Sequence, residues 1–154
     1  MHISAKSDYA LRALVTLAAA DRPMTAGELA AHQELPVNFL EAILADLRRA
    51  GIVTTQRGRD AGYRFVAPPE RVTPADVIRA VEGPLAEVRH LRPEATSYKE
   101  PAASLQELWI ALRVSIRRVL EGVTIAQLAR GSLPKDLAAL LSDPEAWTSR
   151  RAPL

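Results

Sequence analysis

Three arginines in one short segment carry the strongest chemical signal. Arg57 and Arg59 lie within the run Arg57-Gly58-Arg59-Asp60-Ala61-Gly62, and Arg64 lies just after it. Between Ala45 and Val66 five arginines face two aspartates, a local excess larger than the net charge of +2 for the whole 154-residue chain. A guanidinium forks onto phosphates and guanine edges, which a lysine ammonium cannot do bidentately. A basic, glycine-hinged hairpin can sit in a minor groove or along phosphates. The same residues also suit an ordinary surface hairpin with solvated arginines.

A second set lies just upstream. Asn38 can pair with adenine, Glu41 can accept from cytosine and Phe39 can touch a thymine methyl. Phe39 can equally be core, and Glu41 a favourable charge in the first turn of a helix. Thr25, at the start of the preceding helix, joins the set expected to face DNA.

Other chemistries have little to stand on. The chain has no cysteine, which removes disulfides, thiolate metal sites and cysteine nucleophiles. His2, His32 and His90 are scattered without ligand spacing, so no metal site is expected. No phosphate loop, nucleophile elbow or carboxylate pair is present, so an enzyme is not expected. Tyr9 and Trp109 are ordinary packing residues, or they line an effector pocket near the long helix. The N-terminus lacks the order of a signal peptide and no apolar run reaches membrane length, so a soluble, cytoplasmic protein is expected.

These residues need elements to position them. With 48% hydrophobic and 5% aromatic residues, the composition leans helical. A first helix runs from about Ser4 to Ala20, with Leu11, Leu14, Val15 and Ala18 on one face. Thr25 caps a short helix to His32, with Glu28 completing a capping box. Gln33 to Pro36 form a turn, and a third helix follows from about Val37 to Ala50, closed by Gly51. This is a helix-turn-helix. Two β-prone runs, Ile52 to Gln56 and Tyr63 to Val66, then make a hairpin that reads as a wing.

Thr73 caps a helix from Pro74 to Val81. Residues 84–101 read as a loop. Ser104 caps a long helix from about Leu105 to Gly122, striped by Leu105, Leu108, Trp109, Leu112, Ile116 and Val119, with Ile110 and Val114 outside the stripe. Such a helix needs two partners, the chain's own first helix and a second copy across a two-fold axis. Thr124 caps a short helix to Arg130, a weak amphipathic piece spans Lys135 to Leu141, and the last residues look frayed. The expected fold is mainly α with a small β-hairpin: a winged helix-turn-helix over residues 1–83, a loop over 84–101, dimerisation helices over 102–131 and a tail over 132–154.

The order of pieces resembles a known family. Ser4-Ala5-Lys6-Ser7-Asp8-Tyr9-Ala10-Leu11-Arg12-Ala13-Leu14 looks like the opening of the IscR/NsrR/CymR-type regulators, the Rrf2 family. Phe39-Leu40-Glu41, with Leu47-Arg48-Arg49-Ala50-Gly51-Ile52-Val53, resembles its recognition helix and the end of that helix. Arg57-Gly58 through Gly62-Tyr63-Arg64 resembles its wing, and Ile78-Arg79-Ala80-Val81-Glu82-Gly83-Pro84 a further motif. The likeness covers roughly residues 1 to 130 in one order.

The resemblance implies a homodimeric repressor on a pseudo-palindromic DNA operator. By position, Asn38, Phe39, Glu41 and Arg57 match residues that touch bases, and Ser4 and Lys6 match a region near phosphates. The family's sensing members hold an iron–sulfur cluster on cysteines in the loop before the long helix. That loop here, Arg89 to Pro101, has none. Asp8 matches a position that supplies a cluster ligand from the partner subunit in nitric-oxide sensors, but one carboxylate without thiolates is no cluster site. Ala61 replaces a wing glycine, and the tail beyond Pro134 departs from the family ending. The expected protein is therefore a cluster-free regulator whose input is a small molecule, a partner protein or nothing. The alternative is a protein-interaction module that kept the fold without DNA binding.

Overall fold

The computed structural model describes residues 2–148. The expected frayed end, beyond Thr148, lies outside the described residues. Helix α1 (Ala5–Ala20) begins at Ser4, whose hydroxyl accepts from the Ser7 amide, and buries Ala10, Ala13, Leu14 and Leu17. Helix α2 (Ala26–Gln33) starts in the expected capping box of Thr25 and Glu28. It ends at Glu34, which adopts a left-handed conformation with φ 53°. That reversal turns the chain into α3 (Val37–Arg49), which buries Leu40, Ile43, Leu44 and Leu47 on one side only.

Gly51 takes φ +75° after α3, in the expected role. Strands β1 (Val53–Gln56) and β2 (Gly62–Phe65) pair antiparallel, Val53 opposite Phe65 and Gln56 opposite Gly62. A third segment joins them through a bridge between Met24 and Tyr63. Gly62 makes that approach possible: a Cβ there would lie 2.6 Å from the Met24 backbone carbon. Ala61, by contrast, does not have a positive φ. Its glycine-free backbone therefore fits the wing as built.

Helix α4 (Pro74–Glu82) starts in a capping box of Thr73 and Asp76. Helix α5 (Leu105–Leu120) follows the 84–101 segment, and α6 (Ile125–Ala129) starts in a box of Thr124 and Gln127. Helix α7 (Lys135–Leu141) buries nothing. One hydrophobic core joins α1, α2, α3, the wing and α4.

Two features depart from the sequence-based expectations. Ser104 is itself helical in conformation and forms no capping hydrogen bond, so α5 starts without the expected cap. The face of α1 expected to receive α5 is covered instead by α4 and α6. Ile125 is fully buried in the winged-helix core, and its amide bonds the Val72 carbonyl at 2.8 Å. Helix α6 thus packs on α1 and adds Ile125 to the core that α1, α3 and the wing build. The 84–101 segment, read as a loop, has no α-helix or strand and runs as a strap. It contains a 3-10 turn, Pro93–Ala95, and a bridge between Val88 and Leu91.

The strap is held by α5 side chains. Gln106 Nε2 donates to the Glu94 carbonyl at 3.1 Å, Trp109 Nε1 donates to the Tyr98 hydroxyl at 3.0 Å, and Arg113 pairs with Glu94. No described helix is long and apolar enough to cross a membrane.

Candidate DNA-binding surface

The turn at Glu34 and the buried stripe of α3 together decide what this helix shows to solvent. With Leu40, Ile43, Leu44 and Leu47 inward, Asn38 and Glu41 are exposed on its first turns. Phe39 is 41% exposed and stands edge-on to Tyr9, ring centroids 5.7 Å apart. Its ring is thus part packing and part surface. No side chain caps the start of α3.

The wing follows the same helix, and β1 packs against it. Residues 57–61 form its exposed tip, and Arg64 is exposed on β2 between the half-buried Tyr63 and Phe65. Among the described residues, Arg57, Arg59 and Arg64 form no ion pair, whereas Arg49 pairs with Asp46 at 2.6 Å. Three guanidinium groups without an ion pair thus lie on one hairpin whose sole carboxylate is Asp60, a net positive surface.

The remaining sequence-selected residues are engaged within the fold. The Thr25 hydroxyl accepts from the Glu28 amide at 3.2 Å. The Ser4 hydroxyl caps α1 and donates to Glu82. Lys6 Nζ lies 2.8 Å from Asp46 Oδ2 and donates to the Val81 carbonyl at 2.6 Å. Lys6, and then Arg49, hold the Asp46 carboxyl below its ordinary value of 3.8.

Tyr9 and Trp109 do not form one pocket wall. Tyr9 lies between Phe39 and the Arg12 guanidinium, which is 5.6 Å from its ring centroid. Trp109 instead faces Tyr98 on the strap. A cavity of about 500 Å³ does open beside α5, but its walls are Ile3, Ile78, Leu85, Leu112, Ile116 and Val119, and neither aromatic is among them.

Sequence reasoning missed the bracing between α1 and the end of α2, just ahead of the recognition helix. Arg12 Nε donates to Gln33 Oε1 at 3.1 Å, and Gln33 Nε2 donates to Thr16 Oγ1 at 2.9 Å. The spacing of Asp8, Arg12 and Thr16 hints at one face of α1, but nothing in the sequence points to Gln33.

A model of the Rrf2 family, described as iron-dependent transcriptional regulators, matches residues 3–131. The chain belongs to the Rrf2 family. A helix-turn-helix-type transcriptional regulator of Mycobacterium tuberculosis is 42% identical over 153 residues, covering 98% of this chain and 95% of that one. CymR of Bacillus subtilis is 35% identical over 131 residues, covering 84% and 90%. The solved structure of B. subtilis CymR, described as the global cysteine regulator of that organism, superposes with a TM-score of 0.72 at 33% identity, covering 86% and 98%. IscR of T. potens gives 0.67 at 25% identity, covering 98% and 94%.

This Rrf2 protein is a winged-helix, DNA-binding transcription regulator and not an enzyme. The family's iron chemistry does not fit its residues. An iron–sulfur cluster is held by thiolates, and the chain has none. On the strap, the carboxylate of Glu94 is committed to Arg113. Among the described residues, no group of three or more His, Cys, Asp or Glu could hold a metal ion.

Proposed function

We propose that this Rrf2 protein is a repressor that binds a pseudo-palindromic operator as a homodimer, in the cytoplasm and without an iron–sulfur cluster. The observation that carries the reading is α5. It buries none of its residues within the chain, and Leu108 and Leu112 are 54% and 42% exposed. An apolar stripe of this kind, continuous with the cavity beside it, suits a second copy across a two-fold axis. The two-fold axis would set two recognition helices and two wings on successive half-sites.

Within each half-site, Asn38, Phe39, Glu41 and Arg57 are assigned to bases, and Arg59, Arg64 and Thr25 to the backbone. The open amides at the start of α3 add acceptor-seeking groups beside them. Its signal, a small molecule or a protein, is not read through a thiolate, because the chain has no cysteine.

Selection from random duplex DNA, with sedimentation analysis of the same preparation, tests both parts. A dimer that recovers an inverted repeat is the expected result. Leu112→Glu should yield monomers that recover no repeat. A wild-type monomer, or a recovered site without two-fold symmetry, would overturn the reading.

A further inference from the structure

We propose that Lys6 is a positioning residue, which sets the recognition helix against the frame of α1 and α4, and is not a contact to DNA phosphate. The inference rests on the DNA-binding reading of α3. The Lys6 ammonium sits where three helices meet. It belongs to the first turn of α1, donates to the Val81 carbonyl at the end of α4 at 2.6 Å, and lies 2.8 Å from Asp46 Oδ2 on α3.

The chemistry of each contact explains the arrangement. Val81 is among the last residues of α4, whose carbonyls have no partner within the helix. A cation there also complements the negative end of the helix dipole. Asp46 bridges onward to Arg49 at 2.6 Å, so its carboxylate is shared between α1 and its own helix. The side chains of Lys6 and Asp46 are 32% and 22% exposed, which shields the pair in part.

Turning Lys6 toward DNA would strip the Val81 carbonyl of its donor. It would also leave the Asp46 carboxylate without its α1 cation on the helix that approaches phosphates. Both consequences oppose a phosphate contact. An exposed ion pair is weak as a source of stability. Lys6 instead fixes an orientation, because two directed contacts meet on a single nitrogen.

The test uses the full chain and two duplexes of equal length: one recovered by the wild-type protein from a random pool, and a scrambled version. Lys6→Met and Asp46→Asn are each expected to weaken binding to the selected duplex by roughly 5- to 30-fold. The double variant should lose no more than the worse single variant, because both remove one link. Plots of log affinity against log salt should stay parallel to wild type, and binding to the scrambled duplex should not fall.

Asp46→Asn separates the possibilities by sign. Removing a negative charge from the DNA-facing domain should tighten binding on electrostatic grounds alone, whereas loss of positioning weakens it. Being isosteric, this variant also keeps the test decisive should Lys6→Met fold poorly. The proposal is overturned if Lys6→Met lowers the salt slope by about 0.9 and weakens both duplexes alike. Asp46→Asn binding as tightly as wild type, or tighter, overturns it equally. A wild-type chain that prefers no duplex over the scrambled one would overturn the operator reading itself.

Discussion

The ring of Tyr9 on α1 meets the ring of Phe39 on α3 edge-on, with an interplanar angle of 79°. Edge-to-face pairs contribute about 0.5–1.5 kcal/mol beyond their buried area. A double-mutant cycle with Tyr9→Leu and Phe39→Leu, followed by urea unfolding, should return a coupling energy in that range. A coupling near zero would mean that the contact does not brace the recognition helix.

Arg57 is exposed on the wing tip and has no carboxylate partner among the described residues. Arg57→Ala should cost about 1–3 kcal/mol on the selected operator and relax preference at one position. Arg59→Ala should instead weaken all sequences alike and lower the salt slope by about 1. Titrations at several salt concentrations distinguish them. Equal, sequence-independent losses for both would remove Arg57 from the base contacts.

Gly62 has no room for a side chain. A Cβ would lie 2.6, 2.7 and 2.8 Å from the Met24 carbon, oxygen and nitrogen. Gly62→Ala should destabilise the protein by about 1–3 kcal/mol, as other overpacked sites do. It should also weaken DNA binding, since the Met24–Tyr63 bridge anchors the wing. Unchanged thermal melting would show that the wing is not anchored there.

Glu34 holds a left-handed conformation, with φ 53° and ψ 46°, in the turn between α2 and α3. That backbone state costs an L-residue about 1–2 kcal/mol, and glycine adopts it freely. Glycine also gives the unfolded chain more freedom, so Glu34→Gly should stabilise by about 1 kcal/mol or less. A lower melting temperature than wild type would contradict this account.

Glu121 receives Arg79 from α4 and Arg117 from its own helix. Its pairing with Arg79, then Arg117, holds the carboxyl below its ordinary value of 4.5. A depressed carboxyl adds stability above its unfolded value and loses it as pH falls through the folded one. Thermal melts from about pH 7 to pH 3 should decline in the acid range. Glu121→Gln should flatten part of that decline, and an unaltered profile would assign it to other carboxylates.

The helix-turn-helix and wing were legible because their signals are local. Thr25 and Glu28 cap across one turn, Gly51 closes α3, and Leu40, Ile43, Leu44 and Leu47 repeat at helical spacing. The unpaired arginines at 57, 59 and 64 were legible as a basic hairpin for the same reason. Ser104 misled because a serine before an apolar run resembles a cap, whereas its backbone is already helical. The α5 stripe was legible as surplus apolar surface, but which neighbour covers it does not follow from periodicity. Within the chain, α1 is closed by α4 and α6.

By itself, the sequence determined the starts of α2, α4 and α6 at their threonine caps, the basic wing and the absence of any thiolate that could hold a cluster. Those are properties of neighbours within a few residues, or of composition. Only the tertiary structure decided that Tyr9 braces Phe39 and not Trp109, that Ile125 bonds to Val72, and that Lys6 joins Val81 and Asp46. Each is a contact between residues at least 30 apart in the chain, with partners selected by how the helices pack.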